Sequence, residues 1–421
     1  MKKEISKTIN NTAMLYLMIA GKLIFPLLTL PYLTRILSEP AYGVVSYVKS
    51  CMIYMQLLVD FGFLQSTVKD IVRAKNGEEI GLIAGHTFVA KFILVLFAAA
   101  ATLIMTLCIK GLRDNTVYTA LSFVSVAVSV LLADFLFRGI EKMHIVSLVY
   151  VVMKGTATAL TFVFVRGDGD LLWIPALDII GTACAVVITW IVIFKLKIKV
   201  RFCSLKRSFS MLKESFGYFI SDIATTAFGA LNTIMIGIFI TDMAQVAHWS
   251  VCMQIMSAIQ TLYTPINQGV YPQMVRGKSL GLIHKVMLIF MPIVIVGCAI
   301  CFIFAKFALT IVGGEKYAEA YVVFRCLIPV LLFSFPGMLY GWPALGAIDK
   351  VKQTSMTTIV TAVVQVAGLL LLAVIGKFTL VNLAILRSAT ELLMMVLRIS
   401  LTYRYKKCFN ISDANIKEEK E

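Results

Sequence analysis

Four cations stand where a membrane helix has no ordinary use for them. Lys22, Lys49 and Lys154 fall inside long apolar runs, and Arg325 lies within a fourth. A charge at the centre of a bilayer costs at least about 2.5–3.5 kcal/mol on insertion scales, so such a group needs water, an acid partner or an anionic ligand. Lys22 sits about halfway along its run, too far from either end to snorkel, and Lys154 has the same difficulty. Lys49 escapes only in part, while Arg325 and Lys91 lie nearer their span ends, where snorkelling competes as an explanation. The chemistry open to these groups is charge compensation: holding something negative that cannot cross an apolar layer unaided.

Polar side chains accompany the cations at helical spacing. Ser250, Gln254, Ser257, Thr261, Thr264 and Gln268 recur at steps of three and four, which puts them in one stripe. Ser46, Lys49, Gln56 and Asp60 share a period of this kind, as do Asp222, Thr225, Gly229 and Asn232, and Lys22 is followed by Pro26 and Thr29. Single Ser and Thr residues commonly hydrogen-bond between packed helices. Taken together, a six-member stripe and its counterparts point to a wet cavity. Asp60, Asp178 and Asp222 either pair with the buried lysines or carry a coupling proton or cation. Arg387 and Glu391, spaced i, i+4, can neutralise each other, and Glu391 is a further candidate for ion coupling. Asp134 can pair with Arg138 one turn on, and Arg398 reads as an interfacial anchor.

Other chemistries find little footing. Gly277-Lys278-Ser279 resembles the end of a phosphate-binding loop, but Pro272 stands where its first glycine belongs. Cys298 and Cys301 form a C-x-x-C inside an apolar run without a neighbouring His or acid, so neither a metal nor a redox role is expected. The nine cysteines show no spacing typical of extracellular bridges. No loop carries a metal-ligand cluster or a catalytic acid pair, so neither a cofactor nor an enzyme activity is expected.

The elements that position these groups follow from composition. A chain of 421 residues that is 59% hydrophobic, 15% charged and of mean hydropathy +0.88 is an integral membrane protein. Its net charge of +16 does not indicate nucleic acid, because the basic residues fall in short loops between apolar spans. Lys2, Lys3 and Lys7 precede a span that continues past a signal-peptide core, so the first helix is expected to be retained.

A bilayer core of about 30 Å needs about 20 apolar residues per helix, and the chain divides into roughly twelve spans: 11–33, 41–65, 82–107, 116–138, 144–165, 171–195, 215–240, 244–268, 282–307, 319–343, 354–376 and 378–402. Counted on alternate sides, Lys and Arg split 25 to 7, with both termini on the basic, cytoplasmic side. The stretch 195–213 holds seven Lys or Arg and no acid. It reads as a cytoplasmic loop, giving an N-terminal six-helix lobe (1–195), a basic connector (196–213), a C-terminal six-helix lobe (214–402) and a cytoplasmic tail (403–421).

The halves also echo each other. Gly139-Ile-Glu-Lys142 recurs as Ala347-Ile-Asp-Lys350, and Ser46 and Met52 have counterparts in Ser250 and Met256. Such offsets suggest a parallel repeat about an axis along the membrane normal, as in two-lobed transporters.

Several segments carry a family resemblance. Pro26-Leu-Leu-Thr-Leu-Pro31-Tyr-Leu-Thr-Arg35-Ile-Leu, Tyr42-Gly43 and Leu58-Val-Asp60-Phe-Gly62 resemble the start of bacterial O-antigen flippases. Phe137-Arg-Gly-Ile-Glu-Lys-Met143, Thr264-Pro-Ile-Asn-Gln-Gly-Val-Tyr-Pro272 and Gly313-Gly-Glu-Lys-Tyr317 resemble later segments of the same family. The resemblance implies an all-α fold of the multidrug/oligosaccharidyl-lipid/polysaccharide exporter superfamily, MATE-like, with a cationic cavity lined by helices 1, 2, 7 and 8. It also implies a secondary transporter of the bacterial inner membrane. Such a protein moves an undecaprenyl-diphosphate-linked oligosaccharide to the outer leaflet by alternating access, among membrane lipids and other polysaccharide-assembly proteins. Lys22 and Lys49, joined by Lys154 and Arg325, would compensate the diphosphate, and Tyr47, Tyr54, Trp249 and Tyr263 could stack on sugars. The alternatives are a drug exporter of the same fold, which the buried lysines disfavour, and a membrane-embedded glycan polymerase or ligase.

Overall fold

The computed structural model describes residues 20–409 apart from Lys22 and Cys203, and no strand occurs among the described residues. Nine helical segments are long and apolar enough to cross a membrane, and a tenth, Leu205–Thr226 with Ala230–Phe239, is bent by 60°. The described residues form two compact units. The first runs to Ile223 and takes in Thr241–Ala244, and the second holds Ala224–Ile240 and the chain from Gln245 on.

In the first unit, α1 (Leu23–Ile36), α2 (Glu39–Asp60), α3 (Phe63–Arg73), α4 (Gly77–Cys108) and the short α5 (Lys110–Arg113) are followed by α6 (Thr116–Ser129), α7 (Asp134–Gly139), α8 (Met143–Phe164) and α9 (Trp173–Lys195). Residues 11–19 and Lys22 of the expected first span, 11–33, lie outside the described residues, and α1 takes up its second half. Ser38 caps α2, its Oγ accepting from the Ala41 N–H at 3.3 Å, with Pro40 in the first turn where its missing donor costs nothing. Two consecutive left-handed residues, Phe61 (φ 42°) and Gly62 (φ 74°), then separate α2 from α3. A Cβ on Gly62 would come within 2.6 Å of the Tyr218 Cβ, so this break also needs a glycine for close packing. Asn76 caps α4 by accepting from the Glu79 N–H, and Glu79 reciprocates by accepting from the Lys75 N–H at 2.8 Å. At about 1.5 Å per residue, the 32 residues of α4 outrun the hydrocarbon core.

The overhanging end of α4 receives the basic connector. Arg201 N–H donates to the Gly81 carbonyl at 3.1 Å, and a Cβ on Gly81 or Gly85 would overlap the carbonyls of Lys199 and Arg201 at 2.0 and 1.9 Å. Leu196, Ile198 and Val200 pack against the apolar core of the unit while Lys195, Lys197, Lys199 and Arg201 stay exposed; α9 ends at Lys195, Lys197 turns the chain in a left-handed conformation (φ 56°), and from Ile198 on the alternation is that of an extended chain. From Leu205 the expected loop is instead helical: α10 (Leu205–Thr226) begins inside the basic stretch, and Ser208 Oγ fixes it by donating to the His86 carbonyl at 3.0 Å.

The second unit comprises α11 (Ala230–Phe239), α12 (Met243–Thr261), α13 (Thr264–Gly277), α14 (Leu280–Ile303), α15 (Ala305–Gly313), α16 (Tyr321–Leu339), α17 (Val351–Val374) and α18 (Leu380–Arg404), the first two residues of α12 belonging to the first unit. The expected eighth span is two helices, α12 and α13, divided at Leu262–Tyr263 with Pro265 opening the second. Its four glutamines and one histidine leave the expected span too polar to stand among the nine. Pro329 and Pro336 lie inside α16, which runs on through a π-helical turn, Tyr340–Leu345, containing Pro343. Carbonyls of this proline-interrupted stretch are met from α18: Ser388 Oγ donates to Cys326 O at 2.7 Å and Arg398 Nη1 to Gly337 O at 2.8 Å. Broken backbone in a membrane needs such partners. Arg398 is therefore not a free interfacial anchor. It is buried, and its remaining donors reach Thr357 and Thr358.

The echoing turns share a backbone conformation. Glu141 (φ 58°) and Asp349 (φ 60°) are both left-handed, and Lys142 N donates to Phe137 O at 2.8 Å as Lys350 N does to Leu345 O at 2.9 Å. These are helix C-terminal closures of one type.

Candidate functional site

Lys22 lies outside the described residues. Lys49 is the one exposed residue in an otherwise buried run from Tyr42 to Met52 on α2. It makes no ion pair among the described residues but stands within electrostatic reach of Lys154 on α8 and Asp178 on α9. Lys154 Nζ donates to Asp178 Oδ1 at 3.1 Å, and both side chains remain about two-fifths exposed. Tyr150, one turn before Lys154, and Tyr118 on α6 border the group. The elements converge because α8 and α9 pack closely, with no room for a Cβ at Gly181 beside the Met153 carbonyl, and α6 lies against both α2 and α9. The Lys154 ammonium, bonded to Asp178, and the Lys49 ammonium, within electrostatic reach of it, thus lie near one carboxylate on a solvent-reachable surface, the lysines midway along α2 and α8 and Asp178 in the second turn of α9. Such a surface has a surplus positive charge and donors free to turn towards an anion.

A second cluster is closed on itself. Asp60 accepts from Lys91 Nζ on α4 at 2.8 Å through one oxygen and from Gln56 Nε2 at 2.8 Å through the other, and Gln56 Oε1 accepts from Ser129 on α6 at 3.0 Å. Lys91 is buried, with its ammonium 5.7 Å from the Phe135 ring centre. Snorkelling does not describe it, since its charge is met by an acid 31 residues away in sequence. Asp222 on α10 bonds to Gln65 and lies within electrostatic reach of Asp60. Ser46 is buried, its carbonyl accepting from Ser50 Oγ at 2.8 Å.

In the second unit the polar residues are distributed differently. Asn232 on α11 is fully buried: its Nδ2 donates to Phe228 O at 2.9 Å, and its Oδ1 accepts from Gln365 Nε2 on α17 at 2.9 Å. Thr390 on α18 completes the chain by donating to Gln365 Oε1 at 2.6 Å. Sequence reasoning missed Gln365 and Thr390, although an amide in the middle of the apolar α17 is a usable signal. Arg387 and Glu391 form a buried pair at 2.7 Å, with the guanidinium 4.9 Å from the Phe228 ring centre. Arg325 is anchored: its Nε donates to Phe302 O at 3.0 Å and the group stacks between Phe302 and Tyr321.

Along α12 and α13 the polar stripe passes from buried Ser250 through half-buried Gln254 to exposed Ser257, half-buried Thr261 and Thr264, and exposed Gln268; Thr225 on α10 is exposed. Tyr47 and Trp249 are fully buried, and Tyr263 packs edge-on against Phe335. These three rings are core residues, with no face offered to a sugar. Among the described residues no group of three or more His, Cys, Asp or Glu is placed to hold a metal ion.

Comparison with known proteins adds to the geometry. The family described as Polysaccharide biosynthesis protein matches residues 8–278. A protein of Shigella dysenteriae described as an O-antigen transporter is 29% identical over 266 residues, covering 63% of this chain and 66% of that protein. One of the same description from Escherichia coli strain K12 is 26% identical over 386 residues, 88% of this chain and 90% of that one. Among solved structures, the lipid II flippase MurJ in an inward closed conformation aligns with a TM-score of 0.74 at 9% identity, covering 94% of this chain and 87% of MurJ. An inward-facing multidrug resistance transporter of the MATE family aligns at 0.68 and 14% identity, covering 92% and 96%. At such identities these likenesses concern the fold.

Proposed function

Because this chain belongs to the polysaccharide biosynthesis protein family and is a multi-pass membrane protein with the fold of the superfamily that holds MATE transporters and MurJ, we propose that it flips a polyprenyl-diphosphate-linked oligosaccharide from the cytoplasmic to the outer leaflet of the bacterial inner membrane. The observation that carries this reading is the group of Lys49, Lys154 and Asp178, two exposed or half-exposed amines at mid-helix positions to one acid. An uncharged or cationic cargo gives no reason to keep that surplus; a diphosphate does. Transport is secondary, by alternating access: the headgroup is taken up on the cytoplasmic side, where both termini lie, and the lipid tail stays in the bilayer. Lys22 adds to the same charge.

The shared fold keeps a drug exporter as the second reading, and the two part experimentally. Replacing Lys49 and Lys154 together by Ala is expected to abolish the surface polysaccharide at unchanged protein abundance. Broad drug sensitisation of a deletion strain with polysaccharide intact would support the exporter and defeat the flippase.

A further inference from the structure

The start of α10 shows three distinct faces. Ser208, Met211 and Ser215, spaced three and four apart, are buried against the first unit. About a quarter to a third of a turn round at 3.6 residues per turn, Leu205, Phe209, Phe216 and Ile220 form one exposed strip. Lys206 and Lys213 flank that strip on the side away from the buried face. Water does not suit four large apolar groups in a row, and a fully immersed helix has no use for the lysines. A helix that enters the bilayer from the interface suits both, with rings in the acyl boundary and amines at headgroup level. Before it, Lys195 at the end of α9, Lys197 in the turn, and Lys199 and Arg201 on the extended stretch are exposed, held in place because the alternate residues are packed and the backbone is seated on Gly81 and Gly85.

We propose that residues 195–202 and 205–220 form a docking surface, already shaped, for the anionic phospholipid headgroups of the adjoining leaflet. The argument for that occupant is charge complementarity: exposed cations border an exposed apolar strip, and the acid Glu214 is turned away and bridged to Arg207 at 3.2 Å. Arg201 stands 3.9 Å from Glu78; a neutral lipid would satisfy the rings and leave the lysines of this surface without counter-charge. The surface is defined without reference to the transported cargo, so its test is independent of the transport reading.

The test uses the full chain with Phe209→Trp, reconstituted in vesicles of phosphatidylcholine alone or mixed with phosphatidylglycerol, one lipid at a time carrying brominated acyl chains. The signal is the quenching in excess of that of the parent with its four tryptophans. Brominated phosphatidylglycerol is expected to quench the introduced indole severalfold more strongly than brominated phosphatidylcholine. Lys206→Gln with Lys213→Gln should bring the two quenching signals close to equal, and raised salt should reduce the preference as well. A parallel measurement on the chain without the Phe209 substitution, mass spectrometry of phospholipid retained through purification, should show phosphatidylglycerol lost from the double Gln variant. Equal quenching by both headgroups, quenching by aqueous iodide in place of bromolipid, or unchanged lipid retention would each overturn the proposal.

Discussion

Lys154 and Asp178 join α8 to α9 through a single 3.1 Å contact that leaves both side chains partly exposed. A pair so placed contributes little to stability, about 0–1 kcal/mol, because solvent screens it. Its larger consequence is competition, since Asp178 occupies an amine that an incoming anion would otherwise hold. Asp178→Asn is expected to leave the unfolding temperature in detergent nearly unchanged and to tighten binding of a short-chain polyprenyl diphosphate, measured by calorimetry. Lys49→Ala and Lys154→Ala should weaken it by roughly tenfold each, the scale of a lost charge-assisted hydrogen bond. Weaker binding in the Asn variant would remove Asp178 from this role.

The bridge from Asp60 to Lys91 answers to a different energy scale, because the ammonium is buried. Asp60→Ala strands that charge and should destabilise the protein by about 3 kcal/mol. Adding Lys91→Met to Asp60→Ala should restore part of the loss, so that the double variant unfolds at a higher temperature than Asp60→Ala alone. Simple additivity of the two single changes would show that the charges do not depend on each other.

Gln365 connects three helices of the second unit, taking Thr390 as donor and Asn232 as acceptor. Gln365→Leu is expected to cost about 1 kcal/mol, within the range measured for hydrogen bonds between membrane helices. The coupling to Asn232→Ala in a double-mutant cycle should be of similar size, and thermal unfolding of purified protein reads it directly.

Gly85 admits no side chain where the Arg201 carbonyl crosses α4 at 1.9 Å from the position of a Cβ. Gly85→Leu should therefore lift the connector from its seat while leaving the helices inserted. Trypsin would report this as faster cleavage after Lys199 and Arg201, with the parent chain comparatively resistant there. Equal cleavage rates would mean that the connector is not held by this contact.

Much was legible along the chain because membrane insertion acts locally. A run of apolar residues either satisfies the hydrocarbon or does not, so helix positions, the basic connector and the stranded lysines could be read from composition and spacing. The alternation Ile198-Lys-Val-Arg201 was equally local and gives the extended, half-buried part of the connector its form, whereas the left-handed turn at Lys197 was not written in it. What only the tertiary structure decided is which polar group meets which. Lys91 finds Asp60 and Gln365 finds Asn232 across long separations in sequence, and nothing in either neighbourhood announces the partner. Spacing placed Asn232 and Ser250 on polar faces, but whether such a face meets water or another helix depends on packing, and both are buried. The polar stripe likewise predicted one long eighth helix, whereas the chain breaks before Pro265 and distributes those residues over two. Periodicity records the direction of a side chain about its own axis, and the identity of what lies opposite is a property of the assembled helices.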